Sequence, residues 1–219
     1  MPQYDFPQMS ETLVVPRAAF DMDDPWATPA ECSPVRLRRA TDAAAPRLAT
    51  SVAAWYDDEY LSLLYSATDD HIRATYHVHD DPLYEQDVVE VFLAPDGLRR
   101  YFEIEVNPHG AVLDAAIDSP AGTRDGMTAD VAWTCEGLFV ALRKVIESSG
   151  AMSIDTVVRI PFSSVGRATP GDGETWRGNF FRIDRHPDLG DEFSAWQPTM
   201  KSPADFHVAA AFGVLRFAR

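Results

Sequence analysis

Apolar residues along this chain alternate with polar ones far more often than they recur at helical spacing. Short runs of this kind, bounded by turn residues, stand at Val35–Arg39, Arg47–Trp55, Tyr60–Thr68, Val88–Leu93, Tyr101–Asn107 and Val112–Ile117. They continue at Phe139–Val145, Met152–Pro161, Gly178–Asp184, Ser194–Trp196 and Val214–Phe217. Between them lie hairpin-like signals such as Pro95-Asp96-Gly97 and Asn107-Pro108-His109-Gly110, whose residues favour tight turns. Helical periodicity is confined to two short stretches, residues 161–166 and 205–213. Many short strands at near-regular spacing predict an all-β fold, a two-sheet antiparallel β-sandwich of jelly-roll type. Residues 1–11, with Pro2 and Pro7, read as a short irregular N-terminal arm, and 12–219 as one domain.

The faces of these strands carry the candidate chemistry. In Tyr101–Asn107, Phe102, Ile104 and Val106 share one side, and Tyr101, Glu103, Glu105 and Asn107 the other; side chains two apart point the same way. That reads as a half-buried strand with a solvated polar face. In Val88–Leu93, Val89, Val91 and Leu93 oppose Val88, Glu90 and Phe92. Glu90 is then a single charge in a strand apolar on both sides, and a buried carboxylate is costly without a partner. Arg182, in the alternating run Asn179–Asp184, is the candidate partner if the two strands are neighbours. Just before Glu90 the chain crowds Asp80, Asp81, Glu85 and Asp87 around Tyr84.

Length and charge narrow the field. A chain of 219 residues can bury one good-sized core. Its net charge of −15 and pI near 4.6 repel phosphate backbones and anionic lipid surfaces, so neither nucleic acid nor membrane is an expected partner. The first residues lack the basic flank and apolar stretch of a secretory leader. If Met1 is the native start the chain is expected in the cytoplasm; if a leader has been removed, it is secreted. Cys32 and Cys135 are too few for a disulfide framework; two free thiols are the expectation, with one bridge between them the alternative.

Several runs together resemble the family 9 carbohydrate-binding modules. They are PLYEQDVVEVFLAPDG at 82–97, YFEIEVNPHGAVLDA at 101–115, WRGNFFRIDR at 176–185, SAWQPT at 194–199 and FHVAAAFGVLRF at 206–217. The most specific piece is the aromatic-Glu-Gln-Asp-x-Val-Glu-x-Phe pattern of residues 84–92. The resemblance implies a β-sandwich that grips a terminal sugar between two aromatic side chains, matching Tyr84 and Phe206 here. It implies that Glu90 bonds sugar hydroxyls. The best-known sugar binders carry tryptophan at both aromatic positions, and a basic residue and an amide where this chain has Glu103 and Glu105.

The expected function is therefore non-catalytic binding of a mono- or oligosaccharide or glycan end. Tyr84 and Phe206 would stack on the apolar C–H faces of a pyranose. Glu90, Glu103, Glu105 and Arg182 would bond its hydroxyls. Other readings of the same residues stay open. Tyr84 could cap the end of the sandwich, Glu90 and Arg182 could form a core ion pair, and Phe206 could pack beside Phe212. The sandwich could be an interaction or scaffold domain that has lost its sugar site. Glu103 and Glu105, two apart on one strand face, have a spacing compatible with a glycosidase pair. The acidic clusters Asp57-Asp58-Glu59, Asp69-Asp70 and Asp80-Asp81 could supply oxygens to a structural calcium. His77 and His79 form an alternating pair with no evident third metal ligand.

Overall fold

The computed structural model describes residues 11–146 and 152–219; of the arm expected at 1–11, only Glu11 lies within them. Among the described residues fourteen strands follow in order. The first seven are β1 (Thr12–Pro16), β2 (Val35–Arg36), β3 (Arg38–Arg39), β4 (Thr50–Tyr56), β5 (Tyr60–Asp69), β6 (Val88–Ala94) and β7 (Arg100–Val106). The others are β8 (Val112–Asp118), β9 (Thr128–Asp130), β10 (Phe139–Ile146), β11 (Met152–Pro161), β12 (Thr175–His186), β13 (Gly190–Ala195) and β14 (Gly213–Ala218). Neither stretch with helical periodicity becomes an α-helix. Each holds a single 3₁₀ turn, at Phe162–Val165 and Ala209–Ala211.

Two open sheets face each other. The larger has the order β1-β14-β12-β6-β7-β8-β9, with β13 beside β12 and β3 beside β13. The smaller runs β10-β11-β5-β4-β2. Ladders among the described residues are antiparallel except one: β1 lies parallel to the closing strand β14, Thr12 against Val214 through Pro16 against Ala218. The single strand expected at Val35–Arg39 is split. Buried Leu37 separates β2, in the smaller sheet, from β3, in the larger, so the chain changes sheets there.

Between the sheets, the alternate residues Val89, Val91 and Leu93 of β6 meet Val52, Ala54 and Tyr56 of β4 and Leu61, Leu63 and Tyr65 of β5 in one core. Phe180 and Trp176 of β12 and Phe217 of β14 complete it. Tyr65 donates its hydroxyl to the carbonyl of Glu90 at 2.8 Å, tying the sheets together at mid-strand.

The larger sheet is buried on its other face too. Phe92, Tyr101, Leu113, Ala115, Phe181 and Ile183 form a second core there, beneath Phe206, Ala209 and Phe212. The segment after Trp196 folds back over the sheet to supply those residues. The face of β7 that reads as solvated is thus covered: Tyr101, Glu103, Glu105 and Asn107 are all buried. On the outside of the smaller sheet, Trp55, Leu64 and Val157 pack under Phe20 and Trp26. The Arg159 guanidinium lies over the rings of Phe20 and Tyr60, 4.1 and 4.2 Å from their centroids. Cys32 and Cys135 are free thiols.

Candidate ligand-binding site

Where the covering segment stops short, the outer face of the larger sheet opens into a cleft of about 430 Å³. That is within the usual size of a small-ligand site. Its floor is set by register. Glu90 on β6 stands directly opposite Glu105 on β7, and Glu103 is one alternate residue along the same face, opposite Phe92. Like charges directly opposite in a ladder disfavour one another. One carboxylate oxygen from each of the three lies within 4.8 Å of the others. All are buried, Glu90 at 2%, Glu103 at 7% and Glu105 at 1% exposure.

Burial holds their protons on, joined at Glu90 and Glu105 by the charge of neighbouring glutamates. Loss of solvent followed by the charge of Glu103 pushes the Glu90 carboxyl well above its ordinary value. Glu105 is raised by burial and by both neighbours. Glu103 rises to about 7, again chiefly by burial, and the hydrogen bond it receives from Glu105 limits the rise. A carboxylic acid pushed up by its neighbours can donate a hydrogen bond at neutral pH, while its ionised partner accepts. Glu90 Oε1 and Glu105 Oε2 find no hydrogen-bond partner within the protein.

The walls come from both sheet and loops. Tyr84 stands at the rim, 50% exposed. Its loop is braced by the acids around it. Asp81 accepts from the backbone N–H groups of His77 and Val78, Glu85 from the Tyr76 hydroxyl, and Asp87 from the N–H groups of Arg73 and Arg185. The local acids therefore hold the loop, and the three glutamates further along line the cleft. Phe206 also lines the cleft but is only 6% exposed. One face is stacked on Phe181, with centroids 4.2 Å apart and planes 16° from parallel, and Phe193 meets it edge-on. Tyr84 is an open plate; Phe206 is chiefly part of the second core.

Arg182 is not in the cleft. On β12 it is opposite Val89, whereas Phe181 is opposite Glu90. Parity sends its side chain to the inter-sheet face. There it donates to Asp69 at 3.0 Å, to the Thr68 carbonyl at 2.7 Å and to Thr50 at 3.2 Å, with Asp184 3.6 Å away. The expected Glu90–Arg182 pair is therefore replaced by a buried cluster of Arg182 with Asp69 and Asp184. Arg47 joins it through Asp184.

Among the cleft residues that escaped the sequence reading are Arg185, Arg124 and His207. Arg185 continues the Phe181, Ile183 alternation and so reaches the cleft; β12 runs to His186, past the expected end at Asp184. Carrying the alternation two residues further would have found it. Arg124 and His207 come from loops and carry no periodic signal. Arg124 donates to Asp205 at 2.7 Å. His207 Nδ1 lies 2.7 Å from the Tyr101 hydroxyl and its Nε2 is 4.0 Å from Glu103. Burial, reinforced by Arg124, lowers the imidazole to about 4 and keeps it neutral.

The acids considered for calcium are engaged with protein groups. Asp57 binds Arg159 and caps the N–H groups of Glu59 and Tyr60, Asp58 pairs with Arg17, and Asp70 pairs with Arg47. Asp69, Asp87 and Asp184 converge, but Arg182 and Arg47 bring positive charge to that group already. His79, Asp80 and Asp114 form another convergent set; His77 is not part of it, and its ring packs 5.0 Å from that of His109.

The fold has counterparts. A structure from Bacteroides uniformis ATCC 8492 assigned as a carbohydrate-binding protein superposes with a TM-score of 0.70 at 20% identity, over 95% of this chain and 99% of that one. A family 9 carbohydrate-binding module from Caldicellulosiruptor kristjanssonii in complex with cellotriose gives 0.60 at 14% identity, over 95% of this chain and 94% of that one. The same organism's module in complex with glucose gives 0.59 at 14%, over 95% and 97%. At such identities the likeness is one of fold. No curated protein matches the sequence. The sequence model of carbohydrate-binding family 9 matches residues 40–217, most of the chain, and the chain belongs to that family.

Proposed function

We propose that this protein is a non-catalytic sugar binder that holds a mono- or oligosaccharide end in the cleft over Glu90, Glu103 and Glu105. The observation that carries this reading is the exposed ring of Tyr84 at the rim of a cleft floored by carboxyls with unpartnered oxygens. A pyranose offers C–H faces to an aromatic plate and a rim of hydroxyls to carboxyls. Tyr84 takes the C–H face, and the glutamates take the hydroxyls as donors or acceptors according to which is protonated. Phe206 contributes the edge it leaves uncovered, so the grip is one-sided rather than a two-ring clamp. Arg185, rather than Arg182, is a basic group of this cleft, and it serves by bracing the loop that carries Tyr84. Family membership supports carbohydrate as the ligand class, since family 9 modules from Caldicellulosiruptor kristjanssonii are seen with cellotriose and glucose.

The glycosidase alternative is weaker on geometric grounds. Two catalytic carboxyls flank the scissile bond, whereas Glu90, Glu103 and Glu105 rise side by side from one face of two adjacent strands. The scaffold alternative predicts no saturable response to any sugar. Isothermal titration with glucose, cellotriose and a panel of other mono- and disaccharides tests the proposal. A saturable heat that disappears in Tyr84→Ala supports it, and silence across the panel refutes it.

A further inference from the structure

We propose that the cleft selects a sugar carrying a free, protonated amine, with the ammonium seated among the carboxyls of Glu90, Glu103 and Glu105. The inference rests on the sugar-binding reading and names the ligand class for that same site. Three acidic side chains converge on one point with one oxygen each inside a 4.8 Å span. An ammonium has three N–H donors beside its carbon. Acceptors at about 2.8 Å from its nitrogen, tetrahedrally placed, are about 4.6 Å apart. Oxygens no more than 4.8 Å apart are within reach of one nitrogen, which would take the place of the hydrogen bond between Glu105 and Glu103.

Unsatisfied oxygens point the same way. Glu90 Oε1 and Glu105 Oε2 are unpartnered, on side chains at least nine-tenths buried, and both residues line the cleft. The cleft's own arginines give their hydrogen bonds to other groups, although their charge still reaches Glu90. Arg124 donates to Asp205 at 2.7 Å, and Arg185 to Asp191 and to the Tyr84 carbonyl. His207 bonds Tyr101. A neutral hydroxyl brings one donor to such a floor, whereas an ammonium brings three donors and a positive charge that favours release of the protons these carboxyls otherwise keep.

A bare divalent cation suits the floor less well. Calcium wants six to eight oxygens. All three glutamates sit within paired strands, where backbone carbonyls are committed to the ladders, so the floor offers little beyond its carboxyls. The volume of about 430 Å³ leaves room for a pyranose ring between this floor and Tyr84. An N-acetyl group would remove the charge and two donors.

The test is a titration of the intact chain near neutral pH with D-glucosamine, D-glucose, N-acetyl-D-glucosamine and calcium chloride. Glucosamine is expected to bind at least about tenfold more tightly than glucose or N-acetylglucosamine, a difference easily resolved calorimetrically. Glu90→Gln and Glu105→Gln, confirmed folded by their melting curves, should each shrink that preference. Equal affinity for glucose and glucosamine overturns the amine assignment and leaves the sugar reading standing. Tight calcium binding that glucosamine does not displace overturns it in favour of a cation site. No binding of any sugar overturns both.

Discussion

Arg185 donates a hydrogen bond from its guanidinium to the backbone carbonyl of Tyr84 at 2.8 Å, tying the exposed ring of the cleft to strand β12. The Arg185 backbone N–H also reaches Asp87, at 2.7 Å, so one residue braces the ring's loop at two points. Loss of the Tyr84 ring should cost ligand contact and little else, because half of it already faces solvent. Tyr84→Ala is expected to weaken sugar binding by about 10- to 100-fold, about 1.4–2.7 kcal/mol, with the melting temperature nearly unchanged. Arg185→Ala should weaken it less, through a looser loop. A Tyr84→Ala variant that binds like wild type would remove this ring from the site.

Arg182 predicts the opposite pattern. It is buried and bonds Asp69 with Asp184 close by, so truncating it leaves acidic groups without their counter-charge inside the sandwich. Removing one partner of a buried ion pair typically costs about 3–5 kcal/mol. Arg182→Ala should lower stability to denaturant by that order while the folded fraction keeps its sugar affinity. Unchanged stability with lost affinity would return Arg182 to the binding machinery.

The glutamate floor makes stability depend on pH. In the folded chain Glu103 keeps its proton up to about pH 7, against an ordinary value of 4.5. Between those values the folded chain binds more protons than the unfolded one, so stability falls as pH rises. Asp87, raised to about 6 mainly by burial, acts in the same direction. His207, lowered to about 4 from 6.5, acts oppositely, but only below about pH 6.5. From about pH 6.5 to about pH 8 the carboxyl contribution is unopposed by it, and the melting temperature should fall across that window. Glu103→Gln should flatten the slope. A melting temperature that rises across the window, or a slope the variant leaves unaltered, would contradict the assignment.

Gly213 predicts a purely structural defect. A Cβ built there would lie 2.3 Å from two ring carbons of Trp196, a ring buried and stacked on Phe180 at 5.4 Å. Forcing that contact should cost about 1–3 kcal/mol. Gly213→Ala is expected to show this loss in a denaturant melt; a neutral result would mean that the Trp196 ring moves freely aside.

Most strands were legible because their alternation is strong and their turns are rich in Gly, Pro and Asp. The run Met152–Pro161 coincides with β11, those at β6, β7 and β8 are off by one residue, and those at β4, β12 and β13 miss an end by three or four. What alternation could not tell was which face meets water. The larger sheet is covered on both sides, so β6 is apolar on both faces except for Glu90, and the polar face of β7 lies beneath a distant segment. That is why Glu103 and Glu105 read as solvated and are buried, and why Arg182 was matched with Glu90 although it faces the other way. β1 and β9 escaped notice for different reasons. Thr12–Pro16 is short and earns its place by pairing with the far end of the chain, while Thr128–Asp130 is exposed and carries no apolar pattern. The loop residues Arg124 and His207 reach the cleft only through the tertiary fold.

The central claim is that a sugar sits between Tyr84 and the carboxyls of Glu90 and Glu105. The most direct measurement is a heteronuclear NMR titration of the chain with glucose, cellotriose and glucosamine, reading the backbone amides one by one. Saturable shifts concentrated at Tyr84, Glu90, Glu105 and Ala115, with the inter-sheet residues around Arg182 quiet, are the predicted result. Shifts confined to another face of the sandwich, or none with any of the three sugars, would contradict it.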